Sequence, residues 1–313
     1  MTSPNALLLE SFRPESAYFV GVDSDGCVFD VMELKHKECF CPAFINWFGL
    51  QGSARQARET WEFVNLYSRS RGLNRFKAVA RALHLLNRRP EVVAQRGGEF
   101  PTAALEEWIS GETRLGEPAL QAYLAARPEK DGEPKLLERS LNWSRDVAAA
   151  VERIVHDLPP MREAVKVLRS LQGRADCLVV SQALTRDLER EWGEHGIDTT
   201  VRGMAGQELG TKSEHLRMAT GGKYFPGRVL MVGDAPGDHR AATDNGALFF
   251  PIVPGRERAS WNQLGEEGLE RFFSGSFAGT YQEKLLAEFY ARLPEHPAWE
   301  RHTQDEAGQQ QTG

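Results

Sequence analysis

Six side chains able to act on a phosphate ester follow apolar runs along this chain. Asp23 and Asp25 come directly after YFVGV (18–22), with Asp30 close behind. Ser181 closes CLVVS (177–181), and Lys212 opens a helical segment after 199–204. Asp234 and Asp238 follow RVLMVG (228–233). Clustered carboxylates suit Mg2+, a hard cation that takes oxygen ligands and keeps room for a substrate phosphate. One carboxylate can attack phosphorus, splitting a hard displacement into two easier ones through an aspartyl-phosphate. A second acid two residues on can protonate the leaving oxygen and then activate water. A lysine and a hydroxyl can neutralise and orient the phosphoryl oxygens.

The surrounding pattern must bring these groups to one edge. Short β-rich runs are expected at 18–23, 177–181, 199–204, 228–233 and 247–253, separated by helical periodicity such as Met161, Ala164, Val165, Leu168 and Leu171. That alternation implies βαβ units and a mostly parallel sheet, in which ligands bind beyond the carboxyl ends of the strands. Residues 31–157 break the alternation with helical stripes, among them Phe40, Ala43, Phe44, Trp47 and Phe48, and later Leu141, Val147, Val151, Ile154 and Leu158. The expected fold class is therefore α/β. A Rossmann-like parallel core (1–30 and 159–255) carries an all-helical domain (31–158) inserted after the first strand. A helical segment over 256–294 packs on the core or the insertion, and a polar tail over 295–313 is disordered. Two short linkers are then the only ties of the insertion to the core, which would permit hinge closure.

The set VGVDSDGCVFD (20–30), VVSQA (179–183), TK (211–212) and VGDAPGD (232–238) resembles the four signatures of the haloacid dehalogenase superfamily. The helical insertion resembles that superfamily's cap, enlarged. The resemblance implies Asp23 as nucleophile and Asp25 as general acid/base. It implies Mg2+ on Asp23, Asp234 and the backbone carbonyl of Asp25, with Asp238 supporting the metal directly or through water. Ser181 and Lys212 would hold the phosphate. Haloalkanoate dehalogenases of the superfamily lack an acid at the second position after the nucleophile, and phosphonate-cleaving members usually replace it. The presence of Asp25 therefore points to a Mg2+-dependent phosphatase acting on a small phosphorylated metabolite. A phosphosugar mutase using the same chemistry, or a binding module on the same fold, stands as the alternative. The intact acid set weighs against the binding module.

Charge and composition narrow the partners. The net charge of −6 argues against a nucleic-acid or anionic-membrane binder. No apolar run approaches the roughly 18 residues of a membrane span, and no secretory leader is visible, so a cytoplasmic protein is expected. The insertion is polarised: 55–96 holds ten basic residues against three acids, and 99–133 holds eight acids against three basic residues. Helix faces pairing with one another would explain this. The alternative is an anion-reading lid, for which the basic turn around Arg71 and Arg75 is the candidate specificity element. Lys35-His36-Lys37-Glu38 reads as an exposed helix face, and Asp30 as a helix cap. The four cysteines form no disulfide framework or zinc set, and packing thiols are expected.

Overall fold

Strands β1 (Phe19–Val22), β2 (Asp176–Val180) and β4 (Val229–Gly233) are buried at every residue. Near-continuous apolar runs of this kind form strands covered on both faces, as in a parallel sheet wrapped by helices. The computed structural model, which describes residue 9 and residues 11–127 and 134–300, shows that sheet. With β3 (Met204–Ala205) and β5 (Leu248–Pro251), five strands lie in the order β3-β2-β1-β4-β5, every pair parallel. The architecture is α/β and Rossmann-like. β1 is central, and the chain moves to β2 on one side before crossing to β4 on the other, which makes the carboxyl end of β1 the switch point where ligands bind in such sheets. Gly21 is needed there. A Cβ on it would meet Leu216, Met231 and Val180 side chains at 3.1–3.3 Å.

The third expected strand is corrected. Residues Asp198–Thr200 form a 3-10 turn, and only Met204–Ala205 pair with β2. An edge strand has one neighbour to pair with, and Gly206, where a Cβ would lie 2.5 Å from the Thr185 backbone nitrogen, runs close against the start of the preceding helix, Thr185–Glu194. In the helix Arg162–Leu171 the buried face is Ala164, Val167, Leu168 and Leu171, so Val167 takes the place expected for Val165.

The chain forms two compact units. The first contains residues up to Lys35 and Ala150–Phe289, and includes the whole sheet. The second runs over His36–Ala149 and takes up the chain again from Tyr290. Its described regular elements are all helices, around buried Trp61, Trp108, Trp143, Phe44 and Phe76. Phe44 and Trp61 ring centroids are 4.8 Å apart, and Trp61 meets Trp143 edge to face at 5.6 Å. The tail does not become featureless at 295. Residues 298–300 make a helical turn, Trp299 meets the Phe63 ring at 5.6 Å, and Glu300 pairs with Arg88 at 3.0 Å. Residues 301–313 lie outside the described residues, as do Glu129, Lys130, Asp131 and Glu133 of the acidic run. None of the four cysteines is in a disulfide, and all are buried. Burial pushes the Cys41 and Cys177 thiols up to about 12, as packing thiols require. Among the described residues no helix is long and apolar enough to cross a membrane.

Candidate active site

The site is assembled where β1 and β4 end. The Asp23 amide donates to the Val232 carbonyl, extending the β1–β4 pairing by one residue and fixing where the Asp23 side chain leaves the sheet. Its Oδ1 accepts from the Ser24 amide at 2.8 Å. The turn that follows needs Gly26, whose φ of +73° is left-handed, so that its amide can reach the Phe29 carbonyl at 2.8 Å. Two indoles clamp this turn. Trp192 Nε1 donates to Ser24 Oγ at 3.0 Å, and Trp261 Nε1 donates to the Cys27 carbonyl at 2.7 Å.

Lys212 enters from the first residue of the helix Lys212–Thr220. Thr211 caps that helix with a reciprocal box to Glu214, which aims the first turn. Its Nζ lies 2.6 Å from Asp23 Oδ2 and 2.6 Å from Asp238 Oδ1. Asp238 accepts from the Ala235 amide through its other oxygen at 3.0 Å. This close approach depends on Gly233, because a Cβ there would lie 2.3 Å from the Asp238 Cγ. Asp23, Asp234 and Asp238 are all buried, and each places a carboxylate oxygen within 4.8 Å of the others. Ser181 is buried at the end of β2, with its amide on the Ala205 carbonyl and its Oγ accepting from the Ala183 amide at 3.1 Å.

The electrostatics of this cluster are unbalanced. Burial pushes Asp23 well above the usual carboxylate range, and Asp238 and Asp234 add to the push while Lys212 opposes it. Asp238 is raised by burial and by Asp234, again against Lys212. Burial would lower the Lys212 ammonium, but Asp23 and Asp238 together raise it. Three buried carboxylates face one ammonium, so a divalent cation would relieve the excess negative charge. The donors are all hard oxygens, which fits Mg2+ and does not fit a metal wanting nitrogen or sulfur.

Asp25 stands apart from that cluster, two residues beyond Asp23. Its carboxylate is held by Lys35, whose Nζ lies 2.7 Å from both oxygens. Lys35 is therefore not on an exposed helix face. It is 9% exposed and belongs to the sheet-bearing unit, and Glu191 Oε1 is a further 3.8 Å from its ammonium. Sequence periodicity missed it because Val31 to Leu34 and the π-helical turn Lys35–Phe40 do not follow one α-helical register. Asp30 is exposed, and Val31 rather than Asp30 occupies the cap position of the short helix Met32–Leu34.

The two candidate specificity arginines, Arg71 and Arg75, both make side-chain contacts. Arg71 is 5% exposed, and its guanidinium donates to the Leu66 carbonyl at 3.1 Å, which ties down the turn that carries it. Arg75 donates to Ser144 Oγ at 3.2 Å and lies 5.4 Å over the Phe40 ring. These contacts all lie inside the helical unit. Basic residues of the 55–96 run pair with acids of that same run, as Arg89 does with Glu59 at 2.8 Å and Glu91 at 3.1 Å.

No family model and no curated protein matches the sequence. Among solved structures, the chain is similar to a predicted phosphoglycolate phosphatase from Haemophilus somnus 129pt, at 12% identity and a TM-score of 0.45 over 78% of this chain and 92% of that one. It is similar to a haloacid dehalogenase-like hydrolase from Streptococcus pneumoniae at 13% identity and a TM-score of 0.41, over 80% and 91%. A predicted phosphatase from Clostridium acetobutylicum matches at 13% identity and a TM-score of 0.44, over 82% and 100%. At such identities and scores the likeness is partial, and the chemistry is carried by the residues of the site itself.

Proposed function

We propose that this chain is a Mg2+-dependent phosphatase of the haloacid dehalogenase type, acting on a small phosphorylated metabolite through an aspartyl-phosphate on Asp23. The observation that carries the reading is the convergence of buried Asp23, Asp234 and Asp238, with Lys212 bridging Asp23 and Asp238 at 2.6 Å each. Asp23, Asp234, Asp238 and the backbone carbonyl of Asp25 are the groups that would hold Mg2+. When bound, the ion would screen the carboxylates from the incoming phosphate and draw charge from its oxygens.

The steps then fall to this chain's own residues. The Asp23 carboxylate attacks phosphorus, the ester P–O bond breaks, and the leaving oxygen takes a proton from Asp25. Water next attacks the phosphorus of the aspartyl-phosphate while Asp25 takes its proton, and the bond to Asp23 breaks to release inorganic phosphate. Lys212 and Ser181 hold the phosphoryl oxygens through both displacements. Asp23→Asn should cut phosphate release at least about a thousandfold in a protein that still folds, since it removes the attacking group. Activity should also vanish in excess chelator and return with Mg2+. Near-wild-type release by Asp23→Asn, or full activity in chelator, would overturn the reading.

A further inference from the structure

The acid/base residue of this scheme has its own support. Asp is a short side chain with two rotatable bonds, and the Asp25 carboxylate is partly exposed, with 22% of its side chain reachable by solvent. Left alone it would sample several orientations, of which one places an oxygen on the leaving group. Proton transfer needs that oxygen within hydrogen-bond reach, and a misplacement of about 1 Å can cost on the order of a hundredfold. Among the described residues, Lys35 is the one side chain that donates to this carboxylate, and it grips both oxygens at 2.7 Å.

The lysine is itself fixed. Its amide is bonded to the Val31 carbonyl at 2.8 Å, and it begins the widened turn Lys35–Phe40. Such turns are rare and recur at functional sites. Its side chain is 11% exposed, and Glu191, 10% exposed, lies behind the ammonium at 3.8 Å. The next residue on that helix, Trp192, donates to Ser24 of the nucleophile turn. One helix, Thr185–Glu194, thus backs both the turn that carries Asp23 and the lysine that orients Asp25. An exposed lysine pair would carry little weight. This one is enclosed, and a buried lysine is retained only with partners.

We infer that Lys35 is a positioning residue for the reaction: it holds the Asp25 carboxylate in the orientation from which a proton is passed to the leaving oxygen, with Glu191 fixing the ammonium from behind. The inference rests on the phosphatase reading above. Its test compares Lys35→Met, Lys35→Arg and Asp25→Asn on phenyl phosphate and 4-nitrophenyl phosphate, using kcat/KM with saturating Mg2+. That parameter reports the half-reaction in which the leaving group departs. Nitrophenolate needs little protonation and phenolate needs more. Lys35→Met should therefore lose about tenfold or more on phenyl phosphate and under about threefold on 4-nitrophenyl phosphate, the same pattern as Asp25→Asn. Lys35→Arg should recover most of the loss. The double variant Lys35→Met, Glu191→Gln removes both buried charges and should show the same pattern if the single variant folds poorly.

An equal loss on both esters would mark a purely structural lysine and overturn the inference. So would an unchanged or faster Lys35→Met, the latter because the contact would then restrain Asp25. A wild type whose phosphate release does not depend on Asp23 would instead bring down the phosphatase reading, and this inference with it.

Discussion

At the scale of single residues, the site is built by atoms that must come unusually close. Gly233 ends β4 with no side chain because the Asp238 carboxyl occupies the space a Cβ would take, 2.3 Å from its Cγ. Asp238 in turn receives Lys212, which also holds Asp23. Gly233→Ala should therefore push Asp238 aside and loosen Lys212, lowering kcat/KM by about a hundredfold, while most of the fold survives because β4 stays paired on both sides. A variant with wild-type kinetics would show that Asp238 can move without consequence. The Gly-Asp pair was legible as a motif in the sequence. The reason for its glycine was not, since the clash lies between a strand end and a side chain five residues on.

At the scale of elements, the helix Lys212–Thr220 does two things at once: its first residue faces the site, and its inner face packs the core. His215 on that inner face is fully buried. Burial first, then Lys212, lower its pKa from the ordinary 6.5 to about 4, with Glu214 opposing. The unfolded chain takes up a proton here more readily than the folded one. The contribution is therefore intact above pH 6.5 and is lost as pH falls toward 4. Glu191 works in the opposite direction. Burial, partly countered by Lys35, pushes it up to about 7, so its charge costs stability as pH rises through 4.5 to 7. The two slopes partly cancel in the wild type. His215→Gln removes one of them, and its stability relative to wild type should improve by about 2 kcal/mol between pH 7 and pH 5. Denaturant melts at the two pH values would reveal it, and an unchanged difference would mean that His215 takes up its proton while still folded.

At the scale of the whole molecule, the chain passes between its two units three times rather than the two expected from an insertion. It leaves the sheet-bearing unit after Lys35, returns at Ala150, and leaves again after Phe289. The last passage delivers Trp299, which meets Phe63 edge to face and has the Arg89 guanidinium 4.7 Å from its ring. Trp299 and Glu300 are thus part of the helical unit's own packing. Trp299→Ala should destabilise that unit by about 1–2 kcal/mol, through lost ring contact and a lost cation–π pair. Protection of its amides in hydrogen exchange should fall accordingly. Unchanged protection would mean that the segment lies on the unit without supporting it.

What could be read from the sequence was whatever local pattern determines. Apolar runs placed four of the five strands to within a residue or two, because a strand buried on both faces is apolar along nearly all its length. Acids and a lysine following the strands pointed to Asp23, Asp25, Lys212, Asp234 and Asp238, because a parallel sheet brings its carboxyl ends to one rim. The fold brings Asp23, Lys212, Asp234 and Asp238 together. The short β3 was not legible, since an edge strand's length depends on the neighbour it finds. Nor were Lys35 and Arg71, both charged residues in polar stretches that periodicity assigns to solvent. Lys35 lies ten residues from Asp25 and more than 150 from Glu191, and only the packed fold brings the three together. Arg71 turns inward to a backbone carbonyl that its turn leaves open. A buried charge is decided by its partners, and those partners are set by tertiary structure.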